Sequence, residues 1–324
     1  MTTVTHEHVL AAARRIAGHV LRTPVIQISP GLWLKLELLQ HAGSFKVRGA
    51  FNRILSAGRL PDSGVIAASG GNHGLAVAYA ARALGVRAEI YVPEVTSPVK
   101  VDGLRALGAH IVQTGAIYSE AADAAAKRAA ETGALSVHAY DQAEVVAGQG
   151  TTGLELVEQV GAASTGAPDP AQGPALDTVL VAVGGGGFAA GITLGTATPG
   201  SGSGPKIVAV EPERIPTLNA ALQAGEPVQV EVGGVGADAL GASKIGGLAF
   251  EVLSGPRVES VLVTDEAIVS ARRTLWERHR LAAEHAGAAA YAALLSGAYR
   301  PEPGERVAVV VCGSNTDPAT LTTS

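Results

Sequence analysis

The sequence predicts an α/β fold built on largely parallel sheets, and three observations lead there. Short apolar runs rich in valine and isoleucine alternate with alanine-rich runs of helical length. Several of the apolar runs end in polar, glycine-containing turns that lead straight into the next helical run, as at the carboxyl ends of strands in α/β proteins. The 324 residues are 47% hydrophobic and only 16% charged, which excludes a disordered chain and suffices for one large core or two intimate ones.

Taken in order, an amphipathic helix is expected over 11–21, carrying Arg14 and Arg15, while Glu7 and His8 interrupt any signal-peptide core ahead of it. Strands are expected at 65–68, 89–92, 110–113, 178–183, 207–210 and 307–311, and helices at 74–84, 99–107, 118–131, 151–160, 188–194 and 265–278. The segments 162–175 and 199–205, rich in Pro, Gly, Ala and Ser, read as surface loops. Residues 178–204 carry no charge, but four consecutive glycines would break a lipid-exposed helix there, so strand, turn and helix are expected in place of a membrane span. The net charge of −5 gives no basic footprint for nucleic acid. A single cysteine, Cys312, allows no internal disulfide and fits a reducing compartment, the cytoplasm.

Four stretches carry candidate chemistry. Lys46, one of six lysines, lies in Ser44-Phe45-Lys46-Val47-Arg48-Gly49-Ala50. An amine beside an aromatic and small residues can be desolvated and so freed to attack an aldehyde; a surface lysine at a helix start is the plain alternative. The predicted strand at 178–183 runs into Gly184, Gly185, Gly186 and Gly187 and then a helix, an arrangement whose amides favour a phosphate. A plain tight turn or a dinucleotide site competes there, because Gly184-x-Gly186-x-x-Ala189 is a degenerate dinucleotide fingerprint and Glu211 ends the next strand. Ser69-Gly70-Gly71-Asn72-His73 forms a polar turn that could hold a carboxylate, or in which Ser69 or Asn72 could simply cap the next helix. The last predicted strand runs into Cys312-Gly313-Ser314-Asn315, with Asp317 and Pro318 as a helix start.

In this order the four stretches resemble the serine/threonine dehydratases, within the fold type II pyridoxal-phosphate (PLP) enzymes. The resemblance runs from Arg22-Thr23-Pro24 to Leu321 and includes Ala147-Gly148-Gln149-Gly150-Thr151 and, in part, Glu284-His285-Ala286-Gly287-Ala288. It implies Lys46 as the Schiff-base lysine and Phe45 packed on the cofactor ring. It also implies Asn72 near the ring oxygen and the turn formed by Ser69, Gly70, Gly71, Asn72 and His73 around the substrate carboxylate. Gly184, Gly185, Gly186 and Gly187 would cradle the phosphate, Cys312 would lie against the pyridine nitrogen, and Gly234 is assigned to the other ring face. His285 departs from the pattern, standing where relatives usually have proline. Some relatives bind a divalent cation through two nearby acids; here Glu211 matches the first and Thr217 stands at the second, so Glu211 is read as a remnant and no metal is expected.

The resemblance further implies a two-domain fold, with 1–58 and 140–324 as the PLP-binding part and 59–139 as the substrate-side part. It implies a homodimer, and no effector-binding domain is expected after the last predicted strand. The expected activity is loss of water from a small L-β-hydroxy amino acid, giving a 2-oxo acid and ammonia, with Lys46 as the base that takes the Cα proton. Gly70 stands where serine racemases place a second proton donor, so elimination is expected over racemisation. Racemisation or β-replacement on the same fold, a nicotinamide-dependent oxidoreductase and a non-catalytic PLP or amino-acid binder are the alternatives.

Overall fold

The computed structural model describes residues 3–165, 176–200 and 202–322. In chain order the first elements are α1 (His6–Ile16), β1 (Val25–Ser29), β2 (Leu32–Lys35), α2 (Lys46–Ser56), β3 (Val65–Ala68), α3 (Asn72–Ala83), β4 (Ala88–Val92) and α4 (Pro98–Ala106). They continue with β5 (His110–Gln113), α5 (Tyr118–Thr132), β6 (Leu135–Ser136), α6 (Ala143–Thr165), β7 (Thr178–Ala182), α7 (Gly187–Gly195) and β8 (Lys206–Pro212). The last are α8 (Thr217–Ala224), α9 (Ala237–Leu240), α10 (Gly247–Leu253), β9 (Val258–Val263), α11 (Asp265–His279), α12 (His285–Ser296) and β10 (Val307–Val310).

Two sheets result. The larger has the order β1-β2-β10-β7-β8-β9, parallel except for β1 against β2. The smaller, β5-β4-β3-β6, is parallel throughout. Their central strands are apolar along nearly their whole length because helices cover both faces: every residue of β7 and of β4 is buried. One core cluster joins the larger sheet to α7, α12 and much of α6. A second joins α2 and α3 to the smaller sheet, so α2 packs its apolar side chains Val47, Ala50, Phe51 and Ile54 with that sheet.

The uncharged stretch folds as β7, a glycine turn and α7, and among the described residues no helix is long and apolar enough to cross a membrane. The first helix starts earlier than expected, at His6, because Thr5 and His8 form a reciprocal cap. The predicted loop at 162–175 is helical at its start, where α6 continues through Thr165; positions 166–175 lie outside the described residues. Asp317 accepts a hydrogen bond from Ala319 N at 2.9 Å, with Pro318 at the first position, but the turn is a 3-10 helix.

Candidate active site

Lys46 is the first residue of α2, and the chain just ahead of it is tied to the end of β10. Ser44 pairs with Gly313, and Phe45 N donates to Cys312 O at 3.3 Å. Lys46 keeps some exposure, as a residue lining a cavity does, while its amine is surrounded by protein and donates to Ala139 O at 2.7 Å. Desolvation lowers the amine to about 8, against the opposing pull of Cys312 and Glu284. The reactive-amine reading of this stretch thus gains over the surface-lysine one.

The amine opens into a small cavity lined by Phe45, Asn72, the four glycines, Cys312, Tyr140, Leu240 and Glu284. Lys46, Asn72, Tyr140, Gly185 and Leu240 also line a wider cleft, whose wall includes Ser69, Gly70, Gly71, His73 and Thr96. The structure therefore brings Lys46, Phe45, Asn72, the four glycines and Cys312 to one cavity and the predicted carboxylate turn to the cleft beside it.

The glycine turn has no room for side chains. A Cβ on Gly185 would stand 2.3 Å from the Tyr140 ring, and one on Gly187 would stand 2.4 Å from Tyr140 O. Gly186 has φ +83°, which an L side chain rarely adopts. Because α7 begins at Gly187, its first amides have no intrahelical acceptor and stand at the cavity wall.

Cys312 is buried at the end of β10, with Sγ 3.7 Å from Ala286 O, and desolvation pushes its thiol up, so it is neutral. Asn72 caps nothing: the N-cap of α3 is Gly71, and Ser69 Oγ accepts from Gly71 N at 3.2 Å inside the turn. Instead Asn72 Nδ2 donates to Glu284 Oε1 at 2.6 Å, and Asn72 Oδ1 accepts from Asn315 Nδ2 at 2.6 Å. His73 is buried, pairs through Nε2 with Val137 O at 2.8 Å, and desolvation lowers it to about 3, so it stays neutral.

The pattern of the pyridoxal-phosphate dependent enzymes matches residues 16–313. The chain belongs to this family, in its serine/threonine dehydratase branch. It is 35% identical over 322 residues to an L-threonine ammonia-lyase of Thermotoga maritima, covering 97% of this chain and 76% of that one. Among solved structures, a T.th. threonine deaminase matches with a TM-score of 0.84 at 35% identity, covering 96% of this chain and 98% of that one. Maize serine racemase matches with a TM-score of 0.86 at 30% identity, over 99% and 96%.

The residues present fit PLP. A side-chain-free turn at a helix N-terminus suits its phosphate, and a buried amine of lowered pKa suits its aldehyde. The neutral thiol of Cys312 suits an unprotonated pyridine nitrogen. The dinucleotide reading loses its acid, because Glu211 is spent elsewhere. Its carboxylate accepts from Thr217 Oγ1 at 3.0 Å, Leu218 N at 2.7 Å and Asn219 N at 2.9 Å, capping α8. Burial raises Glu211 to about 7, and Thr217 Oγ1 also reaches Gly184 O at 2.6 Å, tying this cap to the glycine turn.

One expectation needs correction. Gly234 does not stand at the cavity: a Cβ there would meet Asp265 Oδ2 at 2.4 Å, and Leu240 lines the cavity instead. Phe45 lines the cavity, with its ring also stacked on Phe188 at 3.7 Å between centroids. The histidine at 285 disturbs nothing, since it is the first residue of α12, where neither proline nor histidine loses a helical hydrogen bond.

Sequence reasoning missed Tyr140, the Ala139 carbonyl and Glu284. Glu284 is buried, and desolvation raises it to about 7. The partial match around Glu284-His285-Ala286 was a usable signal for it.

Proposed function

We propose that this protein is a PLP-dependent ammonia-lyase that removes water from L-serine or L-threonine, giving pyruvate or 2-oxobutyrate and ammonia. The observation that carries the reading is the buried Lys46 amine of pKa about 8, facing a cavity walled by the four-glycine turn and Cys312. When bound, PLP supplies an electron sink for the pair left at Cα, from which the β-hydroxyl can depart.

The chain's own residues supply the rest. Amides of the glycine turn and of α7 hold the phosphate. The turn of Ser69, Gly70, Gly71, Asn72 and His73 receives the substrate carboxylate in the cleft beside Lys46. Asn72, locked between Glu284 and Asn315, presents a fixed amide to the ring oxygen. Lys46 Nζ, oriented by Ala139 O, takes the Cα proton; a pKa near 8 leaves a useful fraction unprotonated near neutral pH. Neutral Cys312 would lie against the ring without supplying it a full charge.

On this reading residues 59–139 form the substrate-side unit, and 1–58 with 140–324 the PLP-binding unit. The buried, unpaired Cys312 supports a reducing compartment, the cytoplasm. A homodimer is the assembly that the resemblance implies.

Racemisation is the second reading, supported by the likeness to maize serine racemase. Gly70 argues against it, having no proton to give. The nearest side chain is that of Thr96: a Cβ on Gly70 would stand 3.0 Å from its methyl group and 3.7 Å from its hydroxyl, so the methyl faces the gap.

The test is partial turnover of L-serine and L-threonine by the PLP-loaded protein, with 2-oxo acid, ammonia and residual-substrate chirality all measured. Equal amounts of 2-oxo acid and ammonia with little D-serine are expected. D-serine formed as fast as pyruvate would hand the assignment to the racemase reading.

A further inference from the structure

We propose that Arg48 is a positioning residue, which fixes the rotation of α2 about its own axis and so holds the Lys46 amine at the cavity. This rests on the reading of Lys46 as the cofactor-bearing lysine. Residues two apart in an α-helix project roughly 200° from each other, so Arg48 lies on the side of α2 away from the cavity.

There it is fully buried and fully engaged. Its Nε and Nη2 donate to Glu37 at 2.8 and 2.7 Å, and its Nη1 and Nη2 donate to Glu155 at 2.7 and 2.9 Å. Nη1 also reaches Thr151 Oγ1 at 3.1 Å, and Nη2 reaches Leu21 O at 3.2 Å. Lys35 completes the cluster by donating to Glu155, Gln159 and Thr23 O at 2.7, 2.8 and 2.9 Å. Two carboxylates thus meet two cations, with the guanidinium forked to both acids.

Charge pairs buried to this degree are a poor means of gaining stability, since apolar side chains of like volume commonly do as well or better. What they supply is direction. Apolar packing leaves a helix free to turn about its axis; two bidentate forks resist that turn. The same surface is also a close approach of α2 to α6. A Cβ on Gly148 would stand 2.6 Å from Arg48 O, and one on Gly49 would stand 2.6 Å from Gln149 Nε2. The Arg48-Gly49 pair and the Gly148-Gln149-Gly150-Thr151 run therefore form one joint, which gives the second run a part in supporting the site although it lines neither the cavity nor the cleft. On a helix whose side chains reach a radius of about 5 to 6 Å, a turn of about 10° moves a side-chain tip by about 1 Å. Misplacement by about 1 Å costs on the order of 10²-fold in rate.

The experiment uses the PLP-loaded full chain with Arg48→Lys, Arg48→Met and Thr151→Val. Lysine keeps the charge but cannot fork to two carboxylates, so it should not rescue. Both Arg48 variants are expected to lose about 10²-fold in kcat with KM changed by only a few-fold, and to release PLP faster on dialysis. Thr151→Val removes one bond to the guanidinium and should lose about fivefold in kcat. A folded Arg48→Lys or Arg48→Met with parental kcat and PLP retention overturns the proposal. If neither folds, Thr151→Val decides, and parental kcat and retention in that variant overturn it. Borohydride reduction of the parent separates the two readings: label on another lysine removes the Lys46 assignment itself, whereas label on Lys46 with undisturbed Arg48 variants removes only the role of Arg48.

Discussion

Helix α2 has a buried ionisable cluster on each side, and apart from Lys35, which burial lowers in spite of Glu155 and Glu37, the two follow opposite rules. On the far side the charges are paired. Burial works against the Arg48 charge, yet Glu37 and Glu155 outweigh it and hold Arg48 above its usual range; burial would raise Glu37, yet Arg48, Lys35 and Thr23 together more than offset it. On the cavity side burial wins. Lys46 falls to about 8, Glu284 rises to about 7, and the Cys312 thiol is pushed up. The difference lies in the partners. Glu284 has the neutral Asn72 amide and Lys46 has the Ala139 carbonyl, neither of which supplies an opposite charge. Pairing locks protonation states and so holds shape. Leaving groups unpaired puts protonation changes near neutral pH, which proton transfer needs.

The largest expected effect comes from spoiling the cavity side. Gly185→Val adds a branched side chain whose Cβ would stand 2.3 Å from the Tyr140 ring, so the turn must shift and its amides withdraw. Most bound PLP should be lost on dialysis, read as the visible absorption band. Unchanged PLP content would count against the turn as the phosphate site.

Smaller effects separate the two clusters by the sign of their pH dependence. Glu37 is held below the ordinary carboxylate range, so its stabilisation is present above that range and is lost as pH falls through its lowered value. Glu37→Gln should therefore melt earlier at neutral pH, on the order of 3 kcal/mol less stable as for a broken buried pair, with the gap narrowing in acid. Glu284 is raised to about 7, so the folded state holds its proton more tightly than the unfolded chain. Its favourable contribution is full below the unfolded carboxylate value and is lost as pH rises through about 7. Glu284→Gln should gain a few degrees in Tm over the parent at about pH 8 and little at about pH 5. Melting curves of both variants from about pH 3 to about pH 8 check the pair of signs, and parallel shifts in both would erase the distinction.

Where periodicity and burial agree, the fold was legible. The strands Val65–Ala68 and His110–Gln113 match the expected residues, and α5 and α11 extend one residue beyond theirs. The misses have physical causes. β2 ends in Lys35, a buried charge that reads as surface until Glu155 and Gln159 are seen around it. The start of α6 contains Gly148 and Gly150, poor helix formers, but a Cβ at either would stand within 2.7 Å of a neighbouring backbone carbonyl. Along α12 the residues from Ala286 to Ala293 are all buried, so the helix shows no polar face from which a period could be read.

The site was legible wherever a residue lies within a local motif, as Lys46, Asn72, the four glycines and Cys312 do. It was not legible where meaning comes from long-range contact. Tyr140 matters because its ring lies on Gly185, and Glu284 because it meets Asn72 across 212 positions of sequence.

The central claim, that the unpaired side of α2 carries the cofactor on Lys46, is tested most directly by borohydride reduction of the PLP-loaded protein followed by peptide mapping. The pyridoxyl group is expected on Lys46. Its appearance on Lys35 would contradict the account outright, because that amine has all three of its hydrogen bonds filled in the paired cluster. Label on the lysine at 244 would contradict it equally.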